Sequence, residues 1–260
     1  MAGRPHDKAV SWSHRISRAD RAGLVELVSE NLARWTEREV LQVLRHPYLS
    51  APVLEEVLQS KAFLGLRSVR RMLALHPATP RPDALRCLDD LTWRDLVLVA
   101  REVRTPAPIR QAANRKLLEA LRRLSRGEKV ALARLADREL LVPLLEENEP
   151  SVLGAVLRNA RLGEEDLLRW VTVGRAKAAA LEALAGDGTW SHRPAVRGAL
   201  LRNKLLPRAA ALNLLLAATR AEWREVADDE TVPLLLSACA RRLCESGIEF
   251  IDRPRRRGLP

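Results

Sequence analysis

Aromatic side chains are scarce in this chain of 260 residues: six Trp, two Phe and one Tyr make up 3% of it. Few segments show the Val/Ile/Tyr/Phe alternation that a sheet needs, so strands are excluded as the organising element. Cysteine is scarcer still, with Cys87, Cys239 and Cys244 at no metal-ligand spacing. An odd, sparse set reads as reduced thiols in packed positions. Five scattered histidines supply no convergent metal set, and "GDG" at 186–188 lacks the flanks of a phosphate loop. No apolar run reaches the roughly 18 residues that span a bilayer. The opening stretch "MAGRPHDKAVSWSHR" has no apolar core of a secretion signal. The expectation is a cytoplasmic protein with no membrane insertion, metal or cofactor, and with no evident small-molecule substrate.

What is abundant points to helices. Leu, Ala, Arg and Glu dominate, and unbranched side chains lose little rotamer freedom in a helix. Hydrophobic residues at 47% and charged residues at 30% are the balance of a folded chain. Apolar positions recur three and four apart, as Leu24, Val25, Leu27, Val28 and Leu32 do. The reading is all-α.

The net charge is +11, which invites a polyanion as partner. Only six of the 44 basic residues are lysine, a bias as consistent with genome composition as with phosphate contacts. Acidic residues interleave with basic ones in "EREVLQVLR" and "REVADDE", while "RISRADR" and "RPRRRG" (253–258) concentrate positive charge near the ends.

The chain repeats itself. At a shift of 127, residues 69–115 match 196–242 without a gap, and fourteen of the 47 pairs are identical. They include Arg70/Arg197, Leu73/Leu200, Pro80/Pro207, Thr92/Thr219 and Pro106/Pro233, with Asp95/Glu222 and His76/Asn203 keeping chemical type. Upstream, 43–58 pairs with 156–171 at a shift of 113, because residues 175–195 carry extra positions. That insertion is expected to lengthen a helix and add a loop around Gly186 and Gly188. Self-similarity on this scale indicates stacked units.

Smaller joints punctuate each half: "RHPYLS" (45–50), "LHPATP" (75–80), "RNARLG" (158–163) and "RNKLLP" (202–207). Each closes one apolar-periodic segment and opens the next. His46, His76, Asn159 and Asn203 are expected in the left-handed conformation that ends a helix, followed by a Ser or Thr cap and a proline at the first helical position. "TERE" (36–39), "TWRD" (92–95), "SRGE" (125–128) and "TRAE" (219–222) read as capping boxes. Counting between joints gives about sixteen helices of 9–18 residues.

The four joint strings resemble those of HEAT-like repeats, and within them the leucine-rich-repeat-variant type with its "NPxTP"-like joint. The resemblance covers roughly residues 36–245, with Ala160 and Lys204 where that joint has proline. It implies a right-handed α-solenoid of short antiparallel helices: a capping region at 1–35, a first half at 36–123, a second half at 124–246 and a basic tail at 247–260. Some variant-type proteins hold an iron–sulfur centre on a Cys cluster, which this chain lacks.

A helical array exposes an extended surface that selects a protein segment. Arg70 and Arg71 with Arg197, and Arg45 with Arg158 and Arg202, form rows of positive charge suited to an acidic peptide or partner face. The expected function is therefore a non-enzymatic scaffold. The alternative is a nucleic-acid binder. An alkyl-base DNA glycosylase, an activity some HEAT-like proteins have, would use Asp95 and Trp93 of "TWRDL". The capping role of Asp95, repeated by Glu222, favours structure over catalysis there. Trp35, Trp170 and Trp223 fall on apolar stripes and are expected in the core.

Overall fold

The computed structural model describes residues 12–246, and among them every regular element is helical: eighteen α-helices and one 3₁₀ turn. The expected basic tail and the first eleven residues lie outside the described residues. The chain divides into two compact units, one running to Leu124 and the other from Ser125. The first holds α1 (Trp12–Arg18), α2 (Arg21–Asn31), α3 (Glu37–Val43), α4 (Ala51–Gln59), α5 (Lys61–Leu64), α6 (Arg67–Leu75), α7 (Arg81–Cys87), α8 (Trp93–Arg101) and α9 (Ala107–Leu121). The second holds α10 (Arg126–Leu135), α11 (Arg138–Glu146), α12 (Pro150–Leu157), α13 (Glu164–Thr172), α14 (Ala178–Ala185), α15 (Pro194–Arg202), α16 (Arg208–Leu216), α17 (Arg220–Asp228) and α18 (Leu234–Glu245). The sequence count of about sixteen is thus short, because Pro and Ser punctuation divides some apolar segments twice.

Helices of 4–15 residues are too short to persist alone and must bury a stripe against neighbours. Within the second unit they do so in a ladder. Helices α10 to α18 pack largely against the next helix and against the one two places on: α11 on α13, α13 on α15, α15 on α17, and α12 on α14, α14 on α16, α16 on α18. The first unit has the same step at α6–α8 and α7–α9, and α3 lies against both α1 and α6. Apolar side chains such as Leu73, Leu88 and Leu117 in one unit, and Leu141, Leu144 and Leu181 in the other, are fully enclosed by this packing. Trp35, Trp170 and Trp223 are buried as expected.

The duplication reappears as coincident helix boundaries. Adding 127 to the ends of α6 gives those of α15, and adding it to α8 gives α17. Adding 113 to α4 gives α13. The insertion is where the copies part. The single turn α5 of the first copy corresponds to the two-turn α14 and the turn that follows it. Helix α14 buries Ala180, Leu181 and Leu184 against α12 and α16.

No helix among the described residues is long and apolar enough to cross a membrane.

Candidate functional site

The joints are built differently from the sequence expectation. Asn148 (φ 52°) is the only described non-glycine residue with positive φ, so His46, His76, Asn159 and Asn203 are not left-handed. His76 and Asn203 are extended, with ψ of 126° and 114°. The reason lies in their side chains, each of which accepts the backbone N–H two residues on. The Nδ1 of His46 accepts from Tyr48 N and that of His76 from Ala78 N, both at 3.2 Å. The Oδ1 of Asn159 accepts from Arg161 N and that of Asn203 from Leu205 N, both at 2.9 Å. A side chain that starts its own turn removes the need for a left-handed residue. Glu102 and Asp229 start the same turn, with Arg104 N donating to Glu102 Oε1 at 3.1 Å and Thr231 N to Asp229 Oδ1 at 2.8 Å. Sequence reasoning missed those two because the acid hides the likeness to His and Asn.

Four residues beyond each turn residue the next helix begins. Pro80, Pro106, Pro207 and Pro233 sit there as N-caps with φ near −54°, one step earlier than the first helical position. The residue before, as in Thr79 and Thr105, turns into the core instead of capping. Thr105 donates its hydroxyl to Leu75 O at 3.1 Å. The asparagines add a tie to the preceding helices: Asn159 Nδ2 donates to Ala133 O (2.7 Å) and Ala136 O (3.1 Å), and Asn203 Nδ2 to Val171 O (2.8 Å). These polar residues hold the stack.

The capping boxes carry the second set of ties. All four expected boxes form, at Thr36/Glu39, Thr92/Asp95, Ser125/Glu128 and Thr219/Glu222. Two of these acids, and Asp166 in the first turn of α13, are also gripped by an arginine from a neighbouring helix: Asp95 by Arg71 (2.9 Å) with Arg67 beside it (3.4 Å), Asp166 by Arg138 (2.8 Å), and Glu222 by Arg197 (2.6 Å). Burial raises the pKa of Asp95 and of Glu222, but the hydroxyl, backbone and guanidinium donors outweigh it and hold both below the ordinary carboxylate values. Asp166 is lowered chiefly by the Arg138 hydrogen bond.

These ties place the expected arginines. Arg197 is buried and spends its guanidinium on both oxygens of Glu222 and on Ser191 O (3.2 Å). Arg70 donates to Leu64 O and pairs with Asp90. Arg71 holds Asp95, and Arg202 pairs with Asp229 at 2.6 Å. Arg45 and Arg158 are exposed beside their joints. Of the matched pairs, Arg70 and Arg197 are thus each tied into their own unit, whereas Arg45 and Arg158 are open.

Asp95 is likewise committed. Its Oδ1 accepts from Arg71 and its Oδ2 from the Thr92 hydroxyl at 2.7 Å, which leaves no oxygen directed at a ligand. The string "WSHR" occurs at 12–15 and again at 190–193, and both copies make a cation–π pair: Arg15 lies 5.0 Å from the Trp12 ring centre and Arg193 4.2 Å from that of Trp190. Trp190 donates its indole N–H to Leu157 O at 2.8 Å. No group of three or more His, Cys, Asp or Glu among the described residues converges as a metal site. Cys87 is buried, which pushes its thiol pKa up to about 11.

Neither a family model, nor a curated protein, nor a solved structure matches the chain.

Exposed arginines occur in both units, but the charge balance of α6 and α8 differs from that of their counterparts. Helices α6 and α8 carry five arginines against one aspartate, whereas α15 and α17 carry four against three acids. Arg38 on α3, between Glu37 and Glu39, and Arg45 just past its end are also exposed.

Proposed function

We propose that the protein is a non-enzymatic scaffold whose units are segments of a right-handed, HEAT-like solenoid, and that it binds an acidic protein segment through arginines. The packing of helices on the one two places away throughout the second unit and at several steps of the first, with the same side-chain turn at six joints, supports the repeat reading. The observation that carries the functional reading is the excess of guanidinium groups on α6 and α8, five arginines against one aspartate, with Arg38 and Arg45 beside them at α3 and just past its end. Complementary charge of this kind sets partner choice and encounter rate.

Fluorescence anisotropy with labelled polyglutamate and with duplex DNA, across about 50–200 mM salt, tests it. The reading expects polyglutamate to bind and to weaken as salt rises. Duplex DNA bound far more tightly, with affinity falling by orders of magnitude over that range, would establish the nucleic-acid alternative instead.

A further inference from the structure

The duplication is an internal control for what the fold requires. Arg70 and Arg197 correspond, and both donate to the carbonyl six residues earlier, Leu64 O and Ser191 O. Asp95 and Glu222 correspond, and both cap a helix while an arginine grips them. Such positions belong to the frame. Four neighbours do not: Arg67, Arg94, Leu98 and Arg101 stand where the second copy has Pro194, Ala221, Glu225 and Asp228. Arg71, opposite Gly198, grips the acid of the first copy as Arg197 grips that of the second. Helices α15 and α17 nonetheless keep the boundaries of α6 and α8. On α3, Arg38 and Leu41 stand where α12 has Ser151 and Gly154. One guanidinium suffices to hold the acid in the second copy, yet the first copy aims two at Asp95, and Arg67 stays largely exposed.

These residues share one surface. Ser68 donates to Glu37, tying the start of α6 to the start of α3, and Arg71 ties α6 to the start of α8. The starts of the three helices therefore lie side by side, with Arg38, Arg67 and Arg94 in their first turns, Arg45 just past the end of α3 and Arg101 at the end of α8. Between them lie apolar side chains open to solvent: Leu98 at 52% exposure, with Leu41 and Met72 half-buried.

We propose that this α3/α6/α8 face is a docking site for an acidic protein segment that also carries an apolar side chain, and that the second copy lacks it. The proposal rests on the scaffold reading above. The exposed leucine is what favours a protein segment, since a phosphate backbone has nothing to place on it. Three helices at about 8–10 Å spacing present about 20 Å of width, which an extended segment of about seven residues crosses.

The test uses the full chain and three labelled probes: a peptide of repeated Glu-Glu-Leu, polyglutamate of equal length, and duplex DNA. The proposal expects the leucine-bearing peptide to bind best. Arg94→Glu with Arg101→Glu should weaken it by about tenfold or more at low salt, while Arg220→Glu with Arg224→Glu on α17 should change it by less than about twofold. Leu98→Glu should also remove the preference over polyglutamate. Far-ultraviolet circular dichroism confirms that each variant is folded. Peptide binding lost only in the α17 variant would overturn this site and leave the scaffold reading standing. No peptide binding at low salt would overturn both. Displacement of the peptide by DNA at lower concentration would make the face a nucleic-acid surface and overturn the proposal.

Discussion

Arg197 and Glu222 form a forked ion pair inside the second unit, with Nη2 at 2.6 and 2.9 Å from the two carboxylate oxygens and Nε at 3.0 Å from one of them. The Arg197 side chain is 8% exposed, whereas that of Arg202, paired with Asp229, is 46% exposed. Truncating one partner of an enclosed pair strands the other, at about 3–5 kcal/mol, while an exposed pair contributes about 0–1 kcal/mol. Arg197→Ala should therefore lower the unfolding free energy by about 3 kcal/mol, and Arg202→Ala by under about 1 kcal/mol. Urea unfolding of the two variants checks the order; equal losses would show that Arg197 does not act as a clasp.

Asn203 makes two bonds at its joint, accepting from Leu205 N and donating to Val171 O. Asn203→Ala leaves both partners short and should cost about 1–3 kcal/mol. Asn203→His keeps the Nδ1 acceptor that His76 uses, so it should recover part of that loss. Thermal unfolding of both variants reads the difference.

The joints of the first unit carry imidazole where those of the second carry amide. Burial, with a smaller effect of Arg104, lowers the pKa of His76 below its ordinary 6.5. The unfolded chain then binds a proton that the folded chain refuses, so the contribution of His76 is complete above pH 6.5 and is lost as pH falls from there towards the folded value. Its Nδ1 can accept from Ala78 N only when unprotonated. Urea midpoints at about pH 7.5 and about pH 5.5 should differ in the native chain, and the difference should shrink in His76→Asn.

At lower pH the carboxylates take over. Asp95, Asp166 and Glu222 all have folded pKa values below ordinary ones, so their contribution is present above the unfolded values of 3.8 and 4.5 and is lost as pH falls through the folded values. Asp229, lowered to about 2 by the Thr231 hydroxyl and backbone N–H together with Arg202, should be the last of the four to protonate. Carboxyl carbon chemical shifts followed from about pH 6 to about pH 2 give the order directly.

Much of the frame was legible in the sequence because it is local. A capping box needs only residues three apart, and all four were read correctly from "TERE", "TWRD", "SRGE" and "TRAE". The joints were found by repetition, but their geometry was not, since Asn and His can end a helix left-handed or start a turn with the side chain. What decides is a partner far along the chain, such as Val171 O for Asn203. The partners of the arginines were out of reach for the same reason. Arg70 and Arg197 recur because each grips its own fold, and the partners, Asp90 and Glu222, lie 20 and 25 residues away. Arg94 and Arg101 were passed over because the second copy has Ala221 and Asp228 in their places.

The division between a shared frame and a surface peculiar to the first copy is tested by giving the first copy the second copy's residues. Arg94→Ala, Leu98→Glu and Arg101→Asp together reproduce Ala221, Glu225 and Asp228 on α8. Changes at exposed positions outside the frame shift stability by no more than about 0.5 kcal/mol each, so the urea unfolding free energy of the triple variant should stay within about 1.5 kcal/mol of the native value. A loss well beyond that would show that these side chains hold α8 in place and would contradict the account.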